Sequence, residues 1–256
     1  MAFLKEALRQ NKLTIGSWIT LGHTSIAEIM AKAGFDWLTI DMEHSAIDLR
    51  DAQNLIKVIE LSGCTPLVRV GENNPYLIKR VMDAGAHGVI VPMVNSREEA
   101  IKAVEAVKYP PHGKRGVGLA RAQGYGLGFE QYKNWLVNES IVIVQIEHIK
   151  AVENLEEILK VEGVDSFIVG PYDLSGSLGI PGQFEDQRVK EALEKVTATA
   201  KKLNKTAGFH VVPPDADALK QKINEGYRFL GFSLDTLFLG TNCKKLLESL
   251  NNLRIR

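Results

Sequence analysis

The sequence contains little cysteine and no excess of either charge, and both shortages narrow the possible functions. Its 256 residues include two cysteines, Cys64 and Cys243, which form no CxxC motif and no Cys/His spacing. This usage excludes a disulfide-stabilised scaffold and a zinc–thiolate centre, and it is typical of a reducing compartment. Since 31 basic and 31 acidic residues give a net charge of +0, we expect no surface that binds nucleic acid or an anionic membrane non-specifically.

Long hydrophobic runs are also missing. No stretch approaches the roughly 18 consecutive apolar residues that a membrane-spanning helix needs. The N-terminal segment MAFLKEALRQNK carries charges where a signal peptide would be continuously apolar. We therefore expect a soluble, cytoplasmic protein that does not associate with membranes.

Short apolar runs alternate with longer amphipathic stretches along the whole chain, a rhythm typical of βα units. Runs such as IVIVQIE and VIVPM are apolar on both faces, as parallel strands covered by helices must be. Eight such units in about 250 residues predict an α/β protein with a (β/α)8 TIM barrel rather than a doubly wound sheet. Because no linker interrupts the pattern, we predict one domain over residues 1–256. The predicted strands are Thr14–Thr20, Trp37–Glu43, Pro66–Val70, Gly88–Met93, Ile141–Glu147, Ser166–Pro171, Thr206–Val211 and Phe229–Leu234.

The residues that end the predicted strands are markedly polar. In barrels of this type the active site lies at the carboxyl ends of the strands. Any single polar residue there could cap a helix or form a structural ion pair, but their convergence on one rim favours a functional site. These residues are Asp41, Glu43 and His44 at the end of strand 2, Arg69 in strand 3, Gln145, Glu147 and His148 at the end of strand 5, Asp173 after strand 6, His210 in strand 7 and Asp235 after strand 8.

Glu147 and Asp173 are separated by about one βα unit, so we expect their carboxylates on neighbouring strand ends. Two carboxylates without a nearby cysteine favour a hard divalent cation, Mg²⁺, Mn²⁺ or Co²⁺, whose coordination is completed by water and substrate. The alternative is that one acid caps a helix while the other forms an ion pair.

Arg69 and His44 are the candidates for contacts with a substrate. Arg69 ends the apolar segment PLVRV, where a buried guanidinium requires either a substrate carboxylate or a structural partner such as Asp41 or Glu43. His44 follows these two acids, one of which could orient its ring, and histidine exchanges protons near neutral pH. On spacing alone, His44 could equally be a structural loop histidine.

Several chemistries lack the residues that they need. None of the eight predicted strands contains a lysine, which disfavours a Schiff-base mechanism inside the barrel. The sequence also has no GxSxG elbow, no Walker loop and no GxGxxG between a strand and a helix. The longest irregular stretch, Tyr109–Gly128, is rich in glycine, and loops of this length in compact domains are usually functional.

Taken together, several segments resemble the metal-dependent (class II) pyruvate aldolases, the family of 4-hydroxy-2-oxoheptanedioate aldolase and 2-dehydro-3-deoxyglucarate aldolase. The segments are AGFDWLTIDMEHSAID, VRVGENNPYLIKRVMDAGAHGVIVPMVNSREEA, YPPHGKRGVGLARA, VQIEHIKAVENLEEILKVEGVD and FIVGPYDLSGSLG. The similarity extends over nearly the whole chain. It implies a (β/α)8 barrel, reversible addition of pyruvate enolate to an aldehyde, and a homohexamer in which the last helix packs on a neighbouring subunit.

The resemblance also implies a role for each residue of the metal and pyruvate sites. It makes Glu147 and Asp173 the ligands of the divalent metal. It makes Arg69 and Gln145 the side chains that bind pyruvate. The backbone of Tyr172 and Asp173 would lie beside the pyruvate carboxylate.

For catalysis, the resemblance implies that Arg69 acts together with His44, which Asp41 supports and which exchanges protons through water. The chain departs from the family pattern at Met42, Tyr172 and His210, all of which flank the expected pocket. These departures leave the identity of the aldehyde open, while the metal and pyruvate positions are retained.

We therefore expect a carbon–carbon lyase that reversibly cleaves a 4-hydroxy-2-oxo acid to pyruvate and an aldehyde through a metal-stabilised enolate. Two alternatives stay open. One is an enzyme on the same scaffold that cleaves or condenses another 2-oxo acid, such as oxaloacetate. The other is a non-catalytic barrel that binds a metabolite.

The segment after the last predicted strand bears on assembly. Gly240 predicts a hinge between a short rim element and the helix beyond it. That helix could close its own barrel, but the family resemblance favours its exchange with a neighbouring subunit. Its predicted apolar face consists of Cys243, Leu246, Leu247, Leu250 and Leu253.

Overall fold

The computed structural model describes residues 3–250, and at its centre eight parallel strands form a closed barrel in chain order, with the last strand paired to the first. The predicted (β/α)8 barrel is thereby confirmed. Every strand end lies within two residues of the predicted one. The strands are β1 (Thr14–Ile19), β2 (Trp37–Asp41), β3 (Thr65–Arg69), β4 (Gly88–Val91), β5 (Ile141–Ile146), β6 (Ser166–Val169), β7 (Thr206–Val211) and β8 (Phe229–Leu234).

The helices cover the outside of the barrel and begin where the sequence supplies capping side chains. The side chains of Asp48, Ser96 and Asp215 accept hydrogen bonds from backbone N–H groups in the first turns of three helices. The helices are α1 (Phe3–Arg9), α2 (Thr24–Lys32), α3 (Leu49–Leu61), α4 (Pro75–Asp83), α5 (Arg97–Val107), α6 (Phe129–Asn138), α7 (Ile149–Glu153), α8 (Leu155–Leu159), α9 (Pro171–Ser177), α10 (Gln187–Lys202), α11 (Ala216–Asn224) and α12 (Asp235–Ser249), and Arg121–Gln123 forms a 3₁₀ turn.

The two ends of the barrel differ in chemistry. At the amino-terminal end, α1 inserts Leu4 and Leu8 into a buried apolar cluster with Trp37, Leu67 and Phe229. This packing closes the base of the barrel with hydrophobic surface. At the opposite end the strands finish in polar side chains, so the chemistry is confined to that rim.

The strand register decides which rim residues are neighbours. Asp41 is paired with Arg69 across β2 and β3, and Trp18 is paired with Thr39 across β1 and β2. Since side chains alternate between the two faces of a strand, this register directs the charged residues of β2 and β3 to the same interior layer.

The C-terminal segment differs from the prediction. Helix α12 runs through Gly240 without a break, so the predicted hinge is wrong: the backbone there is helical. On the predicted apolar face, Leu246 and Leu247 are exposed, while Leu253 lies outside the described residues. Within residues 3–250, no helix is long and apolar enough to cross a membrane.

Candidate active site

Arg69 and Asp41 form a buried, bidentate ion pair at the ends of β3 and β2. Arg69 donates from Nε to Oδ1 of Asp41 at 2.9 Å and from Nη2 to Oδ2 at 2.7 Å. Burial alone would raise the pKa of Asp41, but hydrogen bonding and the charge of Arg69, aided by the backbone N–H groups of His44 and Glu43, hold that pKa below its ordinary value. Asp41 is therefore the structural partner of Arg69, one of the alternatives that the sequence left open. Asp41 uses two of the five guanidinium N–H groups and leaves three for other partners.

The Trp18 ring packs against the face of the same guanidinium, a contact that the sequence did not predict. The Cζ atom of Arg69 lies 4.4 Å from the centre of the Trp18 ring, within the range of a cation–π interaction. The His210 ring packs against Trp18 with 5.1 Å between ring centroids. Because residues two apart on a strand share a face, the alternation along the predicted first strand could have placed Trp18 inside the barrel.

Glu147 and Gln145 project from β5 into the same interior layer. Glu147 accepts a hydrogen bond through Oε1 from the backbone N–H of Met93 at 2.7 Å, and through Oε2 from Nε2 of Gln145. Burial raises the pKa of Glu147 to about 7; the Met93 N–H opposes this rise, and the charges of Glu43 and Asp173 add to it. The joint metal site of Glu147 and Asp173 stays a prediction.

Glu43 also lies at this site, where the sequence predicted it as a rim residue that could pair with Arg69 or orient His44. Its Oε2 atom lies 3.3 Å from Nη1 of Arg69. Burial raises the pKa of Glu43, the charge of Arg69 opposes the shift, and the charges of Asp41 and Asp173 reinforce it. The site thus combines one guanidinium with four carboxylates.

The remaining predicted residues lie at the outer edge. The His44 side chain is 64% exposed, and its Nε2 atom lies 3.7 Å from Oε2 of Glu43, whereas Asp41 accepts only the backbone N–H of His44, at 3.2 Å. Asp173 is exposed in the first turn of α9. Tyr172 is half-exposed and packs edge-to-face on Phe184 with 4.9 Å between ring centroids.

The donor set suits a hard cation that keeps water and substrate among its ligands. Among residues 3–250, no group of three His, Cys, Asp or Glu side chains is arranged as a complete metal cage. Gln145 nevertheless presents a buried Oε1 atom without a hydrogen-bond partner, whereas the buried Oε2 atom of Glu43 has only its ion-pair contacts with Arg69 and His44. Excess carboxylate charge and an unpartnered amide oxygen are features that suit Mg²⁺ or Mn²⁺ when one or two carboxylates hold it with water and substrate. The residues therefore fit such an ion.

Gly170 leaves room for this cluster. A Cβ atom at this position would lie 3.0 Å from Oε2 of Glu147 and 3.1 Å from Nε2 of Gln145. Any larger residue at the end of β6 would push against the two side chains that β5 contributes. The glycine before Pro171 is thus part of the shape of the site.

Lysine chemistry is absent from the strands of the barrel. In the part of the chain that the structure describes, none of the eight strands contains a lysine. Burial, followed by the charge of Lys5, lowers the pKa of Lys108 to about 8. Its Nζ atom, however, donates to the carbonyl of Leu136 and the hydroxyl of Ser140, before the amino-terminal end of β5. The buried amine therefore lies at the wrong end of the barrel for the candidate site.

Comparison with known proteins gives a consistent set of relatives. The family model described as HpcH/HpaI aldolase/citrate lyase matches residues 14–239. The 2-keto-3-deoxy-L-rhamnonate aldolase of Escherichia coli (strain K12) is 37% identical over 238 residues, which cover 91% of this chain and 87% of that one. A HpcH/HpaI aldolase/citrate lyase family protein from Burkholderia cenocepacia J2315 has a TM-score of 0.92 at 34% identity, over 98% of this chain and 99% of that one. The citrate synthase SbnG has a TM-score of 0.83 at 27% identity, over 98% of this chain and 97% of its own.

Proposed function

This chain belongs to the HpcH/HpaI aldolase/citrate lyase family and is a carbon–carbon lyase, and we propose that it reversibly cleaves a 4-hydroxy-2-oxo acid to pyruvate and an aldehyde. The observation that carries the proposal is the position of the Arg69–Asp41 pair beside Glu147 and Gln145 at the carboxyl end of the barrel. Such a site combines guanidinium N–H groups that Asp41 does not use, which can bind an anionic substrate, with oxygen ligands for a cation.

In this proposal Glu147 and Asp173 hold a divalent cation, Mg²⁺, Mn²⁺ or Co²⁺. When bound, the ion supplies positive charge that stabilises the enolate of pyruvate as it forms. Glu147 is fixed for this role by the backbone N–H of Met93, at 2.7 Å. Asp173 is carried by the first turn of α9, where it remains open to solvent and substrate.

Arg69 and Gln145 bind the 2-oxo acid. Asp41 occupies one edge of the guanidinium and Trp18 covers its face, so the group is preorganised and its free N–H groups point to a fixed place. Preorganised donors stabilise developing negative charge without reorganising during the reaction. The backbone of Tyr172 and Asp173 completes the contact with the substrate carboxylate.

His44 moves the proton. In the cleavage direction, a water molecule held by His44 takes the proton from the C4 hydroxyl, the C3–C4 bond breaks, and the aldehyde departs while the electron pair forms the enolate. Protonation of the enolate at C3 then gives pyruvate. The exposed His44 ring is near Glu43, where it can exchange protons with both water and substrate.

A second candidate keeps the same residues with a different electrophile or 2-oxo acid. The similarity to the citrate synthase SbnG, at 27% identity over nearly the full length, supports cleavage or condensation of oxaloacetate. Arg69 and the carboxylate pair would serve both reactions, because both substrates contain a 2-oxo carboxylate.

A substrate panel separates the two functions. The purified protein is incubated with Mn²⁺ and several 4-hydroxy-2-oxo acids, and in a separate reaction with oxaloacetate. Pyruvate release is measured by coupled oxidation of NADH, and the products are identified by mass spectrometry. The proposal expects pyruvate and an aldehyde from at least one hydroxy-oxo acid. Turnover of oxaloacetate alone would favour the second candidate, and turnover of neither class would refute the proposed function.

The proposal extends to the molecule as a whole: each chain forms one barrel domain over residues 1–256, and the barrels assemble as a cytoplasmic homohexamer. The exposed leucines of α12, Leu246, Leu247 and Leu250, support burial of this helix in a subunit interface. An exposed apolar stripe of this kind is typical of an assembly surface.

A further inference from the structure

The loop between β4 and α5 contains one residue in an unusual backbone conformation. Met93 has a φ angle of 52°, in the left-handed region that residues other than glycine seldom adopt. The residue is 46% exposed, so packing of its side chain does not impose this conformation. Strained residues of this kind persist where surrounding contacts fix them, and they cluster at functional sites.

The backbone of Met93 contacts the candidate metal ligand Glu147 directly. Its N–H donates to Oε1 of Glu147 at 2.7 Å, while the other oxygen, Oε2, accepts from Nε2 of Gln145. The φ angle of Met93 sets how the peptide plane that carries this N–H is turned relative to the rest of the loop. The conformation of Met93 therefore bears on the orientation of the Glu147 carboxylate.

Asn95 supplies the side-chain contact that holds Met93. Its Nδ2 atom donates to the carbonyl of Met93 at 3.0 Å, and the amide must face this way because a carbonyl oxygen can only accept. The backbone of Asn95 is itself fixed on both sides: its N–H donates to Oε2 of Glu99 at 2.5 Å, and its carbonyl accepts from Nδ2 of Asn154 at 2.8 Å. The Asn95 amide is therefore carried by an anchored backbone.

The Asn95 amide is not needed to start the helix that follows. Ser96 caps α5 by accepting a hydrogen bond from the backbone N–H of Glu99 at 3.2 Å, and the Glu99 carboxylate bonds the backbone of Asn95, not its side chain. Within residues 3–250, the Asn95 amide makes one hydrogen bond, to Met93, and its Oδ1 atom is buried without a partner. The side chain of Asn95 therefore acts on the conformation of Met93 rather than on α5.

We propose that Asn95 is a positioning residue of the active site: it holds Met93 in the left-handed conformation, so that the Met93 N–H keeps the Glu147 carboxylate in the orientation that binds the divalent cation. The inference rests on the proposed function, because the orientation of Glu147 matters only if Glu147 is a metal ligand. In this role Asn95 acts on the ion through Met93 and Glu147, without contacting it. Hydrogen bonds that orient a metal ligand contribute to metal affinity, so their loss weakens binding of the ion.

The test measures Mn²⁺ binding in the absence of any turnover. The full-length protein is stripped with EDTA, dialysed and titrated with Mn²⁺, and the free ion is followed by electron paramagnetic resonance. Asn95→Ala should weaken Mn²⁺ binding about threefold to tenfold, the effect of one lost hydrogen bond. The matched control is Asn138→Ala, which also removes one amide-to-carbonyl hydrogen bond, at an exposed position in α6. It should bind Mn²⁺ as the wild type does.

A glycine background separates positioning from a general structural role of Asn95. Glycine adopts a positive φ without steric cost, so Met93→Gly removes the need for the Asn95 contact. In that background, Asn95→Ala should change Mn²⁺ affinity by less than about twofold, because the two positions are coupled. Met93→Val is the converse variant: a β-branched side chain opposes the left-handed conformation, so it should weaken Mn²⁺ binding by about threefold or more with Asn95 intact.

Three results would overturn the inference: wild-type Mn²⁺ affinity in Asn95→Ala, an equal loss from Asn95→Ala in the wild-type and Met93→Gly backgrounds, or wild-type affinity in Met93→Val. Glu147→Gln in the same titration keeps the two proposals apart. If Glu147→Gln loses Mn²⁺ binding while Asn95→Ala does not, the proposed metal site stands and the positioning role fails. If the wild type does not bind Mn²⁺, or Glu147→Gln binds it equally well, the proposed metal site fails and the positioning role fails with it.

Discussion

At the scale of single residues, Arg69 is held in place by more than one interaction. Asp41 fixes the plane of the guanidinium through two hydrogen bonds, and Trp18 restricts its movement along the normal to that plane. Replacing the arginine with alanine would leave Asp41 buried without its partner, a loss of about 3–5 kcal/mol in comparable pairs. Lysine is the more informative replacement, because it retains the charge and removes the planar fork.

Arg69→Lys and His44→Ala should therefore affect different kinetic constants. We expect Arg69→Lys to raise the KM for the 2-oxo acid, since lysine loses the bidentate pairing with Asp41 that holds the cationic group in place for the substrate. We expect His44→Ala to lower kcat by about 10²–10⁴-fold with little change in pyruvate affinity, because it removes only the proton-transfer group. Steady-state kinetics and pyruvate binding by calorimetry measure the two effects.

The control for this comparison is His112→Ala, which removes an exposed histidine in the Tyr109–Gly128 loop. It should retain the wild-type constants. Wild-type turnover by His44→Ala throughout the pH range would show that His44 is a structural loop histidine, the alternative that its spacing left open.

The sequence was sufficient to predict which residues lie on the rim when their position depends only on where a strand ends. Asp41, Arg69, Gln145 and Glu147 fall at strand ends, and the structure brings them into one layer. The contact between Trp18 and Arg69 could not be predicted, because it depends on the closure of the barrel around β1 rather than on local sequence. The proximity of the His44 ring to Glu43 likewise depends on the course of a short loop.

At the scale of elements, the Tyr109–Gly128 loop is irregular in backbone but firmly attached. Arg115 lies between the rings of Tyr109 and Tyr132, and Arg121 forms an ion pair with Glu60 at the end of α3. The sequence predicted the length of this loop and its lack of regular structure, whereas its attachments join residues distant in sequence and left no periodic signal. The same limit applies to α12, where Gly240 does not interrupt the helix.

The attachment at Glu60 should make the stability of the protein depend on pH in the acidic range. Hydrogen bonding to His87, and next to Arg121, lowers the pKa of Glu60 from its ordinary value of 4.5 to about 2. A carboxyl group with a lowered folded-state pKa stabilises the protein fully above its unfolded-state pKa, and this stabilisation is lost as the pH falls from about 4.5 toward 2. Glu60→Gln should therefore lower the free energy of unfolding at pH 7 by about 1–2 kcal/mol, after allowance for partial exposure, with a smaller difference at pH 3.

Urea unfolding at both pH values and one protein concentration provides the measurement. Glu156→Gln is the comparison, because Glu156 also pairs with two cations, Lys160 and Lys202, but on the surface, where such pairs contribute little. Identical differences from the wild type at pH 7 and pH 3 would exclude the assigned role of Glu60.

At the scale of the whole molecule, the open question is what covers α12. Its leucines Leu246, Leu247 and Leu250 are 66%, 45% and 47% exposed, and association would remove this apolar surface from water. We expect multi-angle light scattering to give a mass several times that of the 28.3 kDa chain, consistent with a hexamer. Deletion of residues 242–256 should reduce both the size of the assembly and its Tm.

A substitution provides a finer version of the same test. Leu246→Glu, on the exposed face, should reduce the mass of the assembly, while Lys245→Glu on the same helix adds the same side chain without removing a leucine. A full-length protein that remains monomeric at micromolar concentration would refute the assembly.

The most direct test of the account is the metal requirement of pyruvate release from a cleavable 4-hydroxy-2-oxo acid. After dialysis against EDTA, the protein should release no pyruvate. Added Mn²⁺ should restore the activity of the wild-type protein and of the exposed-site control Glu98→Gln, but it should not restore the activity of Glu147→Gln. Full activity in EDTA, or full restoration of Glu147→Gln by Mn²⁺, would contradict the account.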